Sequence, residues 1–281
     1  MQMSLPLLYV LAFAAQAPAT KPQEIQGVPW QAQIYSTFQD WTPEELENRD
    51  GWDLAHKCGG SLIAPGWVLT AAHCINAERI KNGHRVRLGA NTIDADEGVT
   101  YRIDRMVRHA DWNKARHLYD IALVHFVADD QTDDSAAVAK PQPIELYDGP
   151  PLDPGVPVFA TGWGQAEAGK DTGFSAELTE VDLVSVDCAN YPKYSGKIAP
   201  YMMCATGRGE AATAANDTCT GDSGGPLALD NDEPVLAGIV SWGIGCYEDD
   251  SAGVYIRIDH DHFLDWIHRA MAADPSVSEL R

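Results

Sequence analysis

The chain has 281 residues, of which 41 are Asp or Glu and 20 are Lys or Arg, so its formal net charge at pH 7 is −21. This acidic balance excludes proteins that bind nucleic acids or anionic membrane surfaces through charge, because both partners are polyanions. A chain of this length can bury one large core or two moderate ones.

The N-terminal residues have the pattern of a secretory signal peptide. The apolar run at 5–15 is too short to span a bilayer, and small residues follow it at 15–17. Residues 1–4 lack the usual Lys or Arg, so an apolar N-terminal strand is the alternative. We predict that 1–17 are a signal peptide and that the mature chain is secreted, to an extracellular or periplasmic space, without stable membrane insertion.

Short strand-like runs dominate the rest of the chain. They lie at 31–35, 60–63, 67–70, 86–88, 121–126, 156–161, 226–229, 235–241 and 253–258. Turn-forming residues separate them, as at 64–66 and 153–155. Many short strands without alternating helices predict an all-β fold of barrels or sandwiches rather than a parallel α/β sheet.

Two long stretches lie between these runs. Residues 36–57 are rich in acids and aromatic residues, and loops of this length are often functional, although a variable surface insertion is the alternative. Residues 129–154 are polar and carry five prolines near their end. We place an interdomain connection there, which divides the chain into 18–140 and 141–281.

The last predicted element is an amphipathic helix. Apolar residues recur at helical spacing, namely Phe263, Trp266, Ile267, Ala270 and Met271. Asp261 is a plausible N-cap, and Pro275 ends the pattern. We predict a helix over 261–273 that packs on the body of the protein.

The six cysteines are Cys58, Cys74, Cys188, Cys204, Cys219 and Cys246. None forms a CxxC pair, and no Cys/His spacing fits a zinc site. An even count behind a signal peptide predicts three disulfides in an oxidising compartment. The residues alone leave the pairing open.

The segment with the most chemical information is GDSGGP at residues 221–226. A serine hydroxyl is a poor nucleophile until a base removes its proton, and the glycines let two backbone N–H groups face one substrate oxygen. The segment also fits the G-x-S-x-G elbow of α/β-hydrolases. An elbow serine opens a helix, however, whereas 226–229 is strand-like. The later His260, His262 and His268 keep that fold's residue order formally open.

Two further motifs precede this segment: LTAAHC at 69–74 and DIAL at 120–123. Together with TGWG at 161–164 and SWG at 241–243, and in this order, they resemble the chymotrypsin-like serine proteases of trypsin type. The resemblance covers nearly all of the chain after the signal peptide. It implies two antiparallel six-stranded β-barrels with a C-terminal α-helix.

The resemblance also implies a secreted serine endopeptidase that works through an acyl-enzyme and needs no cofactor. His73 would take the proton from Ser223 and return it to the leaving amine, while Asp120 would fix the imidazole tautomer. The backbone N–H groups of Gly221 and Ser223 would form the oxyanion hole. A catalytically silent binding protein on the same scaffold is the alternative, and it predicts a broken triad or pocket.

Substrate specificity is implied by Asp217, six residues before Ser223. That position lies at the base of the primary specificity pocket in the family, and a carboxylate there selects Arg or Lys before the cleaved bond. The other implied substrate-binding residues are Thr218, Ser241, Trp242, Gly243 and Gly253. Ser241 would support the carboxylate, and the glycines would leave room for a long side chain. The alternative is that Asp217 is one surface acid among 41.

The family's disulfide pairing assigns Cys58–Cys74, Cys188–Cys204 and Cys219–Cys246. The expected partners are polypeptides with Arg or Lys before the cut and protein inhibitors, with no nucleic acid. We expect a monomer.

Two features depart from the family pattern. Members of the family normally mature by a cut before a sequence like Ile-Val-Gly-Gly, and the new amino group pairs with the acid beside the nucleophile, here Asp222. No such sequence lies about a dozen residues before Pro29. Signal-peptide removal would supply the amino group, or Asp222 has another partner. Ala90 stands where calcium-binding members of the family have a glutamate ligand. Although the acids at 94–97 could attract a cation, we predict no required metal.

Overall fold

The computed structural model describes residues 23–24, 28–38, 41–128, 132, 137, 140–165, 173–208, 218–246, 250–259 and 263–281. The predicted signal peptide, Asp217, the predicted N-cap Asp261 and about one-third of the predicted 129–154 connection lie outside these ranges. The division of the chain at 140/141 therefore stays a prediction.

The described chain is built mainly from short strands. The first seven are β1 (Gln23–Glu24), β2 (Gln31–Ser36), β3 (His56–Ala64), β4 (Trp67–Thr70), β5 (His84–Leu88), β6 (Val99–His109) and β7 (Ala122–Val127). They are followed by β8 (Glu145–Leu146), β9 (Pro157–Gly162), β10 (Thr179–Val186), β11 (Met202–Gly207), β12 (Pro226–Leu229), β13 (Val235–Trp242), β14 (Gly253–Arg257) and β15 (Glu279–Leu280). The helices are α1 (Pro43–Asn48), α2 (Gly51–Ala55), α3 (Ala77–Lys81) and α4 (Leu264–Ala272).

These strands form two closed six-stranded antiparallel barrels, as the resemblance implies. The first barrel runs β2-β3-β4-β7-β6-β5 and closes by pairing β5 with β2. The second runs β9-β10-β11-β14-β13-β12 and closes by pairing β12 with β9. Closure removes the exposed strand edges that an open sheet would have. The short strands β1, β8 and β15 add to the outside of the barrels.

Each barrel has its own apolar interior, and a third cluster joins the two. Val86, Leu88 and Val124 lie inside the first barrel, with alternate residues of β5 facing outward. Val158 and Leu227 lie inside the second barrel. The joining cluster includes fully buried residues from both barrels and α4: Leu69, Leu123, Ile239, Ile256, Trp266 and Ile267. The junction between the barrels is therefore a packed core rather than a flexible hinge.

The interpretation of residues 36–57 as a loop throughout was wrong, because α1 and α2 lie within it. Thr42 caps α1: its hydroxyl accepts from the Glu45 N–H, and its own N–H donates to Glu45 Oε2 at 2.7 Å. This reciprocal capping box, followed by Pro43 at the start of the helix, is a local signal of a helix N-terminus.

The C-terminal helix is shorter than predicted, at Leu264–Ala272 instead of 261–273. Its apolar face is as predicted, because Trp266, Ile267 and Ala270 are buried. Within the described ranges, no helix has the length and apolarity that crossing a bilayer requires.

Three disulfides are present, and they follow the pairing that the resemblance implies: Cys58–Cys74, Cys188–Cys204 and Cys219–Cys246. The first joins β3 to the turn that carries His73. The first two close loops with sequence separations of 16, which is worth roughly 3 kcal/mol each in the chain-entropy model.

Candidate active site

The GDSGGP segment lies directly against the first barrel. The Gly59 N–H of β3 donates to the Ser223 carbonyl at 2.8 Å. A Cβ on Gly59 would lie 2.9 Å from the Gly225 Cα, and one on Gly224 would lie 2.2 Å from Thr70 Oγ1. Gly224 also has φ +81°. Glycine is needed here because two backbones approach too closely for side chains.

His73 and Asp120 come together at the rim of the first barrel. His73 lies in the 3₁₀ turn Ala72–Cys74 just after β4, and Asp120 lies two residues before β7. The His73 Nδ1 is 2.7 Å from Asp120 Oδ2, and the His73 backbone N–H donates to Oδ1 at 2.9 Å. Both carboxylate oxygens therefore hold the same histidine, which fixes the plane of its ring.

Asp120 stays ionised although its side chain is fully buried. Burial alone would raise its pKa, but the His117 and His73 rings and the Ser241 hydroxyl outweigh burial and hold the pKa at about 2. The Ser241 hydroxyl donates to Oδ2 at 2.6 Å. The His117 Nδ1 lies farther away, at 3.9 Å from Oδ2.

The Ser241 contact corrects the prediction that this hydroxyl supports Asp217. Ser241 lies at the end of β13, where its backbone follows the cleft while its side chain turns to Asp120. The hydroxyl has one proton, which it donates in the hydrogen bond to Asp120, so it cannot also donate to Asp217. Sequence reasoning missed this contact because the two residues are 121 positions apart.

Ser223 opens onto a cleft of about 450 Å³. The lining includes His117, Thr218, Ser223, Ser241, Trp242 and Gly243. Cys74, the neighbour of His73, places its Sγ 3.5 Å from the Ser223 carbonyl. Within the described ranges no hydrogen bond joins the Ser223 hydroxyl to His73, and such contacts often tighten only when substrate binds.

The backbone N–H groups of Gly221 and of Ser223 itself are available to a ligand. Gly221 has φ +102°, which favours glycine, and its carbonyl oxygen lies 2.9 Å from His56 Nε2. Among the hydrogen bonds of the described residues, neither the Gly221 nor the Ser223 N–H has an acceptor. Burial lowers the pKa of His56 to about 4, so it is neutral at pH 7 and donates from one nitrogen. Sequence reasoning gave His56 no role.

The family model described as Trypsin matches residues 18–267. The chain belongs to the trypsin family of serine proteases. The trypsin of Squalus acanthias is 36% identical over 222 residues, which covers 78% of this chain and 87% of that protein.

Two other comparisons agree with this trypsin-family assignment. Human transmembrane protease serine 5 is 32% identical over 252 residues, covering 85% of this chain and 48% of that protein, so the chain spans about half its length. The solved structure of neuropsin, a serine protease expressed in the limbic system of mouse brain, superposes with a TM-score of 0.66 and 29% identity. It covers 86% of this chain and 94% of the neuropsin chain.

Asp222 of this family member is buried next to the nucleophile candidate. Its carboxylate accepts from the Cys219 N–H at 2.9 Å and the Gly164 N–H at 2.8 Å. A Cβ on Gly162 or Gly164 would lie 2.2 or 2.3 Å from its oxygens. Burial raises the pKa of Asp222 to about 6. No cationic side chain of the described ranges pairs with it, and pairing with a new amino terminus stays a prediction.

The predicted pocket residues are only partly brought together. Trp242 and Gly243 line the cleft beside Ser223. Gly253 is not among the residues that line it. A Cβ there would lie 2.6 Å from the Tyr255 hydroxyl. That hydroxyl is 3.0 Å from Thr218 Oγ1, so Tyr255 braces the cleft wall. Asp217 lies outside the described residues.

The 36–57 segment reaches the oxyanion region through an ion pair between the buried Asp53 and the partly exposed Arg49. Asp53 accepts from Arg49 Nε at 2.6 Å and Nη2 at 2.8 Å, and also from the Phe174 N–H at 2.8 Å. The Arg49 guanidinium lies 4.9 Å above the Phe174 ring, whose edge packs on His56. A Cβ on Gly221 would lie 2.7 Å from Phe174 Cδ1. The segment therefore supports the loop that carries Gly221.

We expect Asp53→Asn to lower the free energy of unfolding by about 2 kcal/mol, because the buried side chain loses charge-assisted hydrogen bonds to Arg49 and the Phe174 N–H. The exposed acid Glu44 of α1 is the matched control, and Glu44→Gln should change stability by less than about 0.5 kcal/mol. Urea unfolding of both variants measures the difference. Equal losses would show that the Arg49–Asp53 pair has no special role.

Proposed function

We propose that this chain is a secreted serine endopeptidase that hydrolyses polypeptides after Arg or Lys with a triad of His73, Asp120 and Ser223. The observation that carries the proposal is the His73–Asp120 pair, with a 2.7 Å contact to a fully buried, ionised carboxylate, set against the GDSGGP segment. A merely structural histidine needs no such partner. The family assignment supports the same hydrolase chemistry.

The geometry supports His73 as general base. When Nδ1 donates its proton to Asp120 Oδ2, Nε2 keeps its lone pair and can accept the proton of Ser223 Oγ. Oγ then bonds to the substrate carbonyl carbon, and the carbonyl oxygen becomes an oxyanion. The protonated His73 returns the proton to the leaving nitrogen as the C–N bond breaks. Water repeats the sequence on the acyl-enzyme and regenerates the Ser223 hydroxyl.

The backbone N–H groups of Gly221 and Ser223 are the proposed donors to that oxyanion. Two points support them: neither has an acceptor in the described part of the chain, and the Gly221 carbonyl is held in place by His56. Preorganised donors stabilise the transition state because they need no reorientation as charge develops.

Secretion is supported by the signal-like N-terminus and by the three disulfides, since such bonds persist in oxidising compartments. Polypeptide substrates and protein inhibitors are the proposed partners, as for trypsin-like proteases in general.

Asp217 is the proposed determinant of Arg/Lys selectivity, and Asp217→Ser tests it. We expect kcat/KM for substrates with Arg before the cut to fall roughly 10²- to 10³-fold, because a buried cation loses its partner. Asp232→Ser removes the same charge from an exposed turn and should leave the rate unchanged. Paired chromogenic substrates with Arg or Phe at that position measure the ratio. Unchanged selectivity in Asp217→Ser would remove Asp217 from the pocket.

A further inference from the structure

We propose that the C-terminal segment, defined as residues 278–281, is a clamp that positions Asp120 for catalysis through the rings of His109 and Tyr119. Strand β15 of this segment pairs with β6, and the His109 ring stacks on Tyr119, the residue directly before Asp120. The proposal rests on the proposed protease function, in which Asp120 orients His73. The residues of the clamp act through Asp120, so they are positioning residues and not catalytic ones.

The C-terminal segment connects α4 to the end of β6. Strand β15 pairs in parallel with β6, which places Leu280 opposite His109. The Leu280 carbonyl oxygen accepts from the Ala110 N–H at 3.0 Å and from the Trp266 Nε1–H of α4 at 2.8 Å. Its side chain packs against the core cluster that joins the two barrels. One residue therefore holds the helix and the turn after β6 in a fixed relation.

Three contacts of arginine side chains support this backbone pairing. Arg108 Nη2 lies 2.5 Å from Glu279 Oε1, and Arg281 Nε lies 3.0 Å from Asp111 Oδ1. Arg269 Nη1 of α4 donates to the Arg281 carbonyl at 2.7 Å. Exposed ion pairs contribute little individually, so the backbone pairing is the main attachment of the segment.

His109 transmits the position of the segment to the turn that follows. Its side chain is buried and stacks on the Tyr119 ring, with centroids 4.4 Å apart and planes 13° from parallel. The Trp266 ring lies 5.6 Å away, and the Phe263 ring meets it edge-on at 5.7 Å. The Asp111 N–H donates to His109 Nδ1 at 3.2 Å. The ring is therefore held on several sides and presents a fixed surface to Tyr119.

Tyr119 converts this packing into the position of Asp120. Its φ is +53°, a region that residues with side chains rarely occupy. The Ile121 N–H donates to the Tyr119 carbonyl at 2.8 Å, and the Ile121 carbonyl accepts from the His109 N–H at 3.2 Å. The Tyr201 ring packs on Tyr119 at 4.5 Å. Because a strained backbone persists only when its surroundings hold it, the packing of Tyr119 determines where Asp120 lies.

Release of the clamp would affect the chemical step more than substrate binding. The Asp120 carboxylate holds His73 through contacts of 2.7 and 2.9 Å, and a misplacement of about 1 Å in a catalytic group can cost about 100-fold in rate. Trp242 and Gly243, which line the cleft, lie in or directly after β13, away from the clamp. We therefore expect kcat to fall while KM stays nearly constant.

The first test compares kcat and KM for an Arg substrate in Leu280→Gly, which removes the packed side chain and weakens the strand. Its kcat should fall about 10- to 100-fold, with KM within about twofold of wild type. Leu152→Gly is the matched control, because Leu152 is also a partly buried leucine, packed against the interior of the second barrel. It should keep the wild-type kcat. Equal kcat values in the two variants would overturn the proposal.

The second test asks whether the segment acts through Tyr119. Tyr119→Ala removes the ring and should lower kcat by a similar factor, whereas Tyr119→Phe keeps the stacked ring and should stay within about twofold of wild type. The double variant Leu280→Gly/Tyr119→Ala should be no slower than the slower single variant, because both changes break the same connection. Losses that multiply in the double variant would show that the segment does not act through Tyr119.

The third test reads the position of Asp120 without turnover. The proton shared by His73 Nδ1 and Asp120 should give a strongly downfield resonance in proton NMR spectra. This resonance should shift or broaden in Leu280→Gly and stay unchanged in Leu152→Gly. Circular dichroism checks folding, and Leu280→Ala is the milder second variant if Leu280→Gly unfolds.

The NMR result also separates the clamp from the protease function. An unchanged resonance in folded Leu280→Gly would overturn the clamp even if the wild type hydrolyses peptides. A changed resonance in a chain whose wild type hydrolyses no peptide would uphold the clamp and refute the protease.

Discussion

Ser223→Ala is expected to lower kcat for peptide hydrolysis about 10⁶-fold, the scale on which loss of a triad nucleophile acts. The Ser241 hydroxyl cannot replace that of Ser223, since it is already committed to Asp120. Cleavage of a fluorogenic Arg substrate measures the rate. Labelling with a fluorophosphonate probe should mark wild type and leave Ser223→Ala unmarked.

The matched control for this exchange is Ser276→Ala, which removes an exposed hydroxyl that donates to Asp274 near the C-terminus. It should retain full activity and full labelling. An unlabelled wild type would favour the catalytically silent scaffold. A labelled Ser223→Ala would place the nucleophile on another residue and reject the triad.

The second large effect is expected for Asp120→Asn, which should lower kcat about 10⁴-fold, as this exchange does in serine proteases with a Ser-His-Asp triad. An amide has one acceptor oxygen where the carboxylate has two, and His73 uses both of them. Presenting the amide N–H₂ to Nδ1 forces the proton onto Nε2. That tautomer cannot accept the Ser223 proton.

The chain supplies a close control for this prediction. Asp104 and His125 form a second pair with the same 2.7 Å contact, but it lies on the surface with both side chains about one-third exposed. Asp104→Asn should leave kcat within about twofold of wild type, because exposed ion pairs contribute little. A comparable loss in both variants would mean that Asp120 acts only through stability.

Asp120 also links stability to pH, and the sign follows from its depressed pKa. The folded value of about 2 is below the ordinary 3.8. Asp120 therefore contributes roughly 2 kcal/mol that is fully present above about pH 4 and is lost as pH falls through 2. Unfolding measured across this range should show the loss in wild type and a smaller one in Asp120→Asn.

The chemistry-bearing residues could be predicted from sequence because each lies in a short motif with its own local reasons. Glycines surround Ser223 because the backbone turns and approaches β3 there. A capping box is an equally local signal, and it marks the start of α1. Strands such as β4 were placed to the residue, since a buried apolar run bounded by turns is a local pattern. The predicted helix start at 261 was less accurate, because the residue that caps a helix depends on contacts with segments outside the helix.

The amino-acid sequence by itself determined an all-β fold and predicted three disulfides, since strand patterns and a cysteine count are read along the chain. The order of its motifs carried the resemblance that implied the two barrels, the disulfide pairing and the three proposed catalytic residues. Only the tertiary structure decided the direction of the Ser241 hydroxyl, the His56 contact with Gly221 and the position of His117 beside Asp120. The physical reason is that these contacts join different strands and loops. Barrel closure and packing bring the partners together. Whether a hydrogen bond forms between them depends on where closure places the two backbones.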